Sequence, residues 1–299
     1  MQNYRFETVD VFTTRRFGGN PLAVFPDARG LSDAQMQALA AELNLSETTF
    51  VLPPVDPANS ARVRIFNRTA EMAFAGHPSI GTAFVLARAA RVPSPTLRLE
   101  VPAGLVPVEI EHEKGVVVGG RLTAPRPLEL VREYPADEVA ACIGIAPDDI
   151  LVDAHPPVVV SMGNPYVVAQ VAREALTRCI PDLRAFYAFR ARHPELESRF
   201  SLHLYAGEGS ELQARMFAPL AGTIEDPATG SANAPLAGLL LSIRGAEFAE
   251  FVVRQGEEMG RPSVLHLTAR REGGGIVATV AGRCVPVLSG VAQVGDGLD

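Results

Sequence analysis

The sequence predicts an α+β protein of two matching halves, each a mixed or antiparallel sheet wrapped around a central helix. Three observations carry this prediction: short segments of the first half recur in order in the second, each half repeats one order of elements, and prolines separate the halves. The recurring pairs are GNPLAV at 19–24 with GNPYVV at 163–168, RIF at 64–66 with RMF at 215–217, and HPSIGTA at 77–83 with DPATGSA at 226–232.

Hydrophobic periodicity and turn residues give the elements of the first half. A helix begins after Ser32, which forms a capping box with Gln35. The other predicted elements are strands at 4–12 and 20–25, a strand following Glu47, a strand at 62–66, a turn at 75–78, a helix at 79–90, and strands at 97–101, 105–111 and 115–121.

The predicted domain organisation follows from the repeat. The N-terminal half covers 1–121, the C-terminal half covers 136–283, and a linker at 122–135 contains three prolines. The chain ends in two strand-like runs, at 276–280 and 284–294. A strand from 284–299 could cross back and complete the first half.

Composition excludes several classes of protein. The 299 residues are 47% hydrophobic and 20% charged, which suits a globular protein with a sizeable core. A net charge of −7 with scattered arginines argues against a nucleic-acid partner. No apolar stretch approaches the ~20 residues of a membrane span, and no secretory signal is apparent. Three scattered cysteines predict neither disulfides nor zinc, so we expect a cytoplasmic protein.

Motifs for cofactors and metals are absent from the sequence. It contains no strand–GxGxxG–helix unit, Walker loop, HExxH or GxSxG segment, and its six histidines lack ligand spacing. We therefore predict no cofactor and no metal.

Two equivalent segments place an ionisable side chain next to a predicted helix start. His77 and Asp226 each precede a proline that we expect at the first helical position. Such a helix end exposes backbone N–H groups and attracts a carboxylate. Two of them, related by pseudosymmetry, would face each other across the junction of the halves, where small-molecule pockets tend to lie. Alternatively, both side chains only cap or flank their helices.

Glu47 is a third candidate, at a junction between helix and strand beside apolar Phe50 and Val51. Apolar surroundings favour the neutral carboxylic acid, which suits a group that accepts and returns a proton. The alternative is a solvated loop glutamate.

Five blocks, in order along nearly the whole chain, resemble the PhzF (phenazine biosynthesis) family. They are FGGNPLAVF at 17–25, LSETTF at 45–50, FAGHP at 74–78 with GTA at 81–83, DPATGSA at 226–232, and QG at 255–256 with MGRPS at 259–263. The resemblance implies a diaminopimelate epimerase-like fold of two pseudosymmetric halves with the site between them. It also implies a homodimer that isomerises trans-2,3-dihydro-3-hydroxyanthranilate without cofactor or metal.

The resemblance assigns roles to individual residues. Glu47 becomes the general acid/base, and His77 and Asp226 complete the catalytic set. The residues assigned to substrate binding are Gly76, Gly230, Ser231 and Asn20. One departure is the pair Asn67-Arg68, which stands where the family often has Thr-Pro. Its arginine either alters substrate choice or points to solvent.

The predicted function is therefore a cofactor-independent isomerase that moves a proton within a small, anionic, carboxylate-bearing substrate. A racemase with two opposed thiols is disfavoured, because no cysteine lies in a motif and Cys142 falls in an apolar helical run. An epimerase of a related amino acid remains an alternative. So does a metabolite-binding protein of the same fold without turnover.

Overall fold

The computed structural model describes residues 1–89, 94–196 and 200–295, and the chain forms two compact units. Unit 1 comprises Met1–Thr123 and Ala281–Asp299, and unit 2 comprises Ala124–Val280. Strands accompany a long buried helix in each unit, so the chain has the predicted α+β fold. Two predicted details, the helix end at Ala90 and a strand through 296–299, lie outside the described residues.

Unit 1 contains most of its elements in its N-terminal segment. They are β1 (Gln2–Val11), β2 (Asn20–Phe25), α1 (Asp33–Leu43), β3 (Glu47–Leu52), β4 (Ala61–Phe66), β5 (Glu71–Met72), α2 (Gly76–Arg88), β6 (Thr96–Val101), β7 (Gly104–Glu113) and β8 (Val116–Thr123). The predicted capping box is confirmed, since Gln35 N–H donates to Ser32 Oγ and Ser32 N–H donates to Gln35 Oε1.

Unit 2 contains the remaining elements. They are β9 (Glu129–Glu133), α3 (Ala136–Cys142), β10 (Ile150–Leu151), β11 (Val158–Ser161), β12 (Pro165–Val171), α4 (Arg173–Leu176), α5 (Leu183–Arg192), β13 (Leu202–Ala206), β14 (Glu211–Ala218), β15 (Thr223–Asp226), α6 (Gly230–Arg244), β16 (Phe248–Gln255), β17 (Ser263–Glu272) and β18 (Gly275–Val294). Strand β18 begins in unit 2 and continues into unit 1 at Ala281.

The strands of unit 1 close into a barrel around α2. Strands β18, β1, β2, β3, β4, β6, β7 and β8 pair in turn, and β8 pairs back with β18. The pairs β2–β3 and β4–β6 are parallel, so the sheet is mixed. Helix α2 is buried from Gly76 to Leu86. A Cβ on Gly81 would lie 2.5 Å from the Leu22 side chain, so this glycine lets the helix approach β2.

Unit 2 repeats the strand registers of unit 1. The parallel pair Ala23↔Thr48 corresponds to Val167↔Leu202, the antiparallel pair Thr48↔Phe66 to Leu202↔Phe217, and the parallel pair Ala61↔Leu99 to Leu212↔Val253. Helix α6 is buried from Ala232 to Leu241, as α2 is in unit 1. The recurring segments that form strands, 19–24 with 163–168 and 64–66 with 215–217, thus hold equivalent positions in the two units.

The structure differs from the sequence-based expectations in three respects. Strand β9 lies within the segment predicted as a linker and pairs with β11. Strand β18 runs unbroken through residues 281–283, where the sequence predicted a break between a strand at 276–280 and a strand at 284–294. A Cβ on Gly282 would lie 2.3 Å from the Phe12 ring, so this glycine marks a close contact inside a continuous strand. Among the residues described, no helix has the length and apolar character needed to span a membrane.

The third difference concerns the two helix starts. Helix α2 begins at Gly76, so Pro78 is its third residue, and α6 begins at Gly230, three residues after Pro227. The prediction of proline at the first helical position was therefore wrong in both. The N–H groups of the whole first turn lack helical acceptors, so a proline is tolerated throughout that turn and does not fix its start.

Candidate active site

Glu47 is the first residue of β3 and sits at one end of the barrel of unit 1. Helix α1 ends at Leu43, and its C-cap Asn44 adopts the left-handed conformation that turns the chain toward β3. Glu47 then pairs in parallel register with Leu22 of β2. Its side chain is only 16% exposed. The local sequence thus delivers a mostly buried carboxylic group to the edge where β2 and β3 both start.

His77 contacts Glu47 directly. Its Nε2 lies 3.2 Å from Glu47 Oε2, and its side chain is 8% exposed. The two atoms are close, but their orientation is not that of a hydrogen bond, and His77 Nε2 has no hydrogen-bond partner among the described residues. Burial lowers the pKa of His77 to about 3. The imidazole is therefore neutral near pH 7, and the contact joins a carboxylic group to a neutral ring rather than two ions.

The two binding residues predicted for unit 1 lie at the same end. Asn20 is the first residue of β2 and is completely buried, and Gly76 is the first residue of α2. The N-cap of α2, Ala75, makes no side-chain cap bond. The structure thus brings Glu47, His77, Gly76 and Asn20 to one end of unit 1. The open first turn of α2 offers backbone N–H groups that suit an anion.

Asn67 is the residue next to Glu47 across the sheet, because Thr48 pairs with Phe66 in the antiparallel β3–β4 register. The Asn67 side chain accepts hydrogen bonds from both the N–H and the hydroxyl of Thr69 and from the N–H of Ala70. Gln37 Nε2 donates to the Asn67 carbonyl at 3.0 Å. The departure from the family's Thr-Pro is therefore a side-chain-stabilised turn beside Glu47.

Asp226 ends β15 and opens the loop that leads into α6. It is 8% exposed, and its Oδ2 accepts a hydrogen bond of 2.5 Å from the Thr229 hydroxyl. Gly230 and Ser231 form the first turn of α6, and Ser231 Oγ lies 2.6 Å from Tyr166 Oη. The structure thus gathers the three residues predicted for unit 2 within one loop and helix start.

Sequence reasoning missed the side chains that support this loop. Gln255 Nε2 donates to the Asp226 carbonyl at 2.8 Å, and Asn233 Nδ2 donates to Gln255 Oε1 at 2.9 Å. A third buried residue, His203, contacts Asn233. Gln255 stands in one of the blocks that resemble the PhzF family, and this was the one available signal. Asn233 and His203 follow no motif.

Thiol and metal chemistry have no support at these positions. Burial raises the pKa of Cys142 to about 12 and of Cys179 to about 11, and it also raises the pKa of Cys284. Such thiols stay protonated and make poor bases. The described ranges contain no group of three or more histidine, cysteine, aspartate or glutamate side chains arranged to hold a metal ion.

The chain matches the family of phenazine biosynthesis-like proteins (PhzC-PhzF) over residues 9–290. It is 38% identical over 299 residues to an uncharacterized isomerase of Mesorhizobium japonicum, covering 97% of this chain and 99% of the relative. It is also 38% identical over 274 residues to the trans-2,3-dihydro-3-hydroxyanthranilate isomerase of Pseudomonas aeruginosa, covering 91% of this chain and 92% of the relative. The crystal structure of a PhzF-family phenazine biosynthesis protein of Bacillus anthracis aligns with a TM-score of 0.88 at 25% identity, over 98% of this chain and all of the other.

Fold and relatives together define an isomerase of α+β class, which confirms the predicted enzyme class. The chain belongs to the PhzC-PhzF family of phenazine biosynthesis-like proteins. The family resemblance found in the sequence is confirmed.

Proposed function

We propose that this isomerase moves a proton within a small, carboxylate-bearing substrate without a cofactor, with Glu47 as the general acid/base. The similarity to trans-2,3-dihydro-3-hydroxyanthranilate isomerases supports that compound, or one like it, as the substrate. His77 and Asp226 hold polar groups of the substrate, and the first turns of α2 and α6 hold its carboxylate.

The contact between Glu47 and neutral His77 carries the proposal. A cationic partner would hold the carboxylate in its ionised form, whereas a neutral imidazole exerts no such charge. Glu47 can then alternate between carboxylate and carboxylic acid within one catalytic cycle. The Glu47 side chain is 16% exposed, so the proton that it takes up can exchange with solvent before it is returned.

The proposed reaction balances without any other reagent. The Glu47 carboxylate removes a proton from an activated C–H bond, and the electron pair of that bond spreads into the conjugated system of the substrate. Glu47, now a carboxylic acid, returns the proton to a different carbon, and the electron pair there forms the new C–H bond. Fixed N–H dipoles at the helix ends stabilise the charge that develops between the two steps.

Isotope exchange tests the assignment of Glu47. With trans-2,3-dihydro-3-hydroxyanthranilate in D2O, proton NMR should show turnover with deuterium entering one carbon. Glu47→Gln should lower this rate by about 100- to 10,000-fold, as expected for loss of a general acid/base. Glu42→Gln changes an exposed glutamate of α1 and is the matched control, which should keep the wild-type rate.

The outcomes separate the alternatives. A Glu47→Gln variant with the wild-type rate would exclude Glu47 as the proton carrier. Tight retention of the compound without exchange would identify a metabolite-binding protein. Exchange at a stereocentre without movement of a double bond would identify an epimerase.

We also propose that units 1 and 2 descend from one duplicated unit of diaminopimelate epimerase-like fold and that the enzyme works as a cytoplasmic homodimer. The shared registers of the two sheets support the duplication. Light scattering checks the homodimer: a particle of twice 31.9 kDa is expected, and a particle of 31.9 kDa would contradict it.

A further inference from the structure

We propose that His203, Asn233, Gln255 and Thr229 form a one-directional chain of hydrogen-bond donors that ends on Asp226 and holds it as an ionised acceptor. On the proposed function, the substrate group that meets Asp226 is then an N–H or O–H donor, such as an amine or hydroxyl, and not the carboxylate. The first three of these residues position Asp226 through Thr229.

Gln255 has one possible orientation. Its Nε2 lies 2.8 Å from the Asp226 carbonyl oxygen, and its Oε1 lies 3.2 Å from the Thr229 backbone N. A backbone carbonyl can only accept and a backbone N–H can only donate, so exchanging the amide O and N of Gln255 would break both bonds. The second N–H of Gln255 is therefore directed at Thr229 Oγ1, at 3.2 Å.

Thr229 passes this direction to Asp226. Because its hydroxyl oxygen accepts from Gln255, its single proton points to Asp226 Oδ2 at 2.5 Å. Oδ2 must then offer a lone pair, so a neutral acid could carry its proton only on Oδ1. A hydrogen bond to a carboxylate oxygen is stronger than one to a neutral acid, so this geometry favours the ionised form.

The other end of the chain fixes a histidine tautomer. Asn233 Nδ2 donates to Gln255 Oε1 and to the Thr229 carbonyl, which leaves Asn233 Oδ1 as an acceptor. His203 Nε2, 3.2 Å away, must therefore carry the proton. His203 is completely buried, burial lowers its pKa to about 4, and its Nδ1 has no hydrogen-bond partner among the described residues. The ring is neutral and donates in one direction only.

The backbone is shaped to bring Gln255 to Asp226. Gly256, directly after Gln255, has a φ of +80°, and a Cβ there would lie 2.6 Å from the Pro227 carbonyl oxygen. Only glycine allows this approach of β16 to the Asp226 loop.

Unit 1 shows that the fold does not require the hydrogen-bond chain from His203 to Asp226. By the shared registers and the repeated helix segment, Thr49, Ile80, Phe84 and Val101 stand in unit 1 where unit 2 has His203, Thr229, Asn233 and Gln255. Three of those four positions are apolar. Buried polar groups cost free energy unless every bond is made, so their presence in unit 2 alone points to function at Asp226.

NMR on the unmodified enzyme tests the proposal without any substrate. The ¹⁵N spectra should show that His203 carries a proton on Nε2 and none on Nδ1. The Asp226 side-chain carbonyl, assigned through loss of its signal in Asp226→Asn, should show the ionised form at about pH 5. An Nδ1-protonated His203, or a neutral Asp226 at that pH, would overturn the proposal.

Four variants extend the test. Thr229→Val removes the final donor at constant shape and should move the Asp226 titration upward by about one pH unit or more, whereas Thr229→Ser should restore it. Thr268→Val removes a hydroxyl that pairs with Thr279 elsewhere in unit 2 and should leave the titration unchanged. If the Asp226 titration is unchanged in Thr229→Val, the hydrogen-bond chain does not hold Asp226 in its ionised form. Glu47→Gln should not move this signal, so failure of the proposed function would be seen separately.

Substrate structure gives the functional readout. Replacing the amine of trans-2,3-dihydro-3-hydroxyanthranilate by hydrogen, and separately its hydroxyl by hydrogen, should raise KM strongly for whichever group meets Asp226. That penalty should shrink in Asp226→Asn. Equal KM values for all three compounds in the wild-type enzyme would contradict recognition of a donor group by Asp226.

Discussion

Units 1 and 2 build the same scaffold and equip it differently. Arg64 of β4 forms a bidentate ion pair with Glu71 of β5 and lies over the Phe66 ring. Arg215 of β14 likewise forms a bidentate ion pair with Glu225 of β15 and lies over the Phe217 ring. These shared residues fix the short strand that leads to each functional loop. The residues that differ between the units are those to which the proposed function gives a role, Glu47 and His77 in unit 1 and Asp226 in unit 2. Two units with one scaffold thus provide an internal control that separates the residues that the fold needs from the residues that the proposed reaction needs.

The two units also hold their carboxylic groups differently. Glu47 touches a neutral ring without an aligned hydrogen bond to it, while Asp226 accepts from the Thr229 hydroxyl at the end of a chain of donors. The first arrangement suits a group that changes its protonation state, and the second suits a group that keeps it. The comparison therefore supports the proposed function, in which unit 1 transfers the proton and unit 2 positions the substrate.

The largest stability difference is expected between the two arginines. Arg215 also donates to the carbonyls of Leu176 and Cys179, and Glu225 is nearly buried. Arg215→Met should lower the free energy of unfolding by about 3–5 kcal/mol, because Glu225 is left charged and unpaired. Arg64 pairs with more exposed partners, so Arg64→Met should cost about 1 kcal/mol. Urea denaturation measures the free energy of unfolding of both variants. Equal losses would show that Arg215 stabilises the protein no more than Arg64 does.

Acid should destabilise the protein through its buried histidines: burial strongly lowers the pKa of His77 in unit 1 and of His203 in unit 2, and it also lowers the pKa of His155 in unit 2. The folded pKa values of His77 and His203, about 3 and about 4, lie below the ordinary 6.5 of the unfolded chain. Below about pH 6.5 these histidines therefore bind protons in the unfolded chain but stay neutral in the folded protein. Stability is full above about pH 6.5 and falls as the pH drops, by up to about 1.4 kcal/mol per pH unit for each histidine.

Urea unfolding at about pH 7 and about pH 5 checks this dependence. His77→Gln and His203→Gln should each reduce the slope of stability against pH by the contribution of the histidine that is replaced. His266→Gln changes an exposed histidine and should leave the slope as it is. A wild-type stability that is constant between these pH values would show that the two rings are not held neutral.

Gly256→Ala should cost about 1–3 kcal/mol of stability, since the new methyl group meets the Pro227 and Arg261 carbonyls in a left-handed conformation. Gly260→Ala is matched to it, because Gly260 also has a positive φ but no atom within 4 Å of the added Cβ. Gly256→Ala should also weaken substrate binding, whereas Gly260→Ala should not. Thermal unfolding and KM together decide this, and equal effects of the two changes would remove the steric argument.

The smallest expected effect concerns the thiols. Cys142, Cys179 and Cys284 are buried with raised pKa values, so iodoacetamide should modify none of them in the folded enzyme and should leave turnover unchanged. Mass spectrometry counts the modified thiols, with urea-unfolded protein as the control. Rapid inactivation with labelling of one cysteine would revive a thiol-based epimerase.

Local signals allowed the sequence to predict much of the scaffold. Ser32 and Gln35 identified a helix start because a capping box is contained within four residues. The helix start at Gly76 was missed because the proline two positions later fits anywhere in a first turn. The chain from His203 to Asp226 could not be predicted, since its members lie on separate elements and meet only through strand register. The likeness of the two units could be predicted because three short segments of the first recur in the second.

Steady-state isomerisation by Glu47→Gln and Asp226→Asn, measured side by side with trans-2,3-dihydro-3-hydroxyanthranilate, tests the division of labour most directly. Glu47→Gln should lower kcat by about 100- to 10,000-fold with little change in substrate binding, because it removes the proton carrier. Asp226→Asn keeps an acceptor oxygen, so it should act mainly by raising KM and retain measurable kcat. If kcat is lost equally in both variants with KM unchanged, both carboxylates move protons and the assignment of separate roles to the two units is wrong.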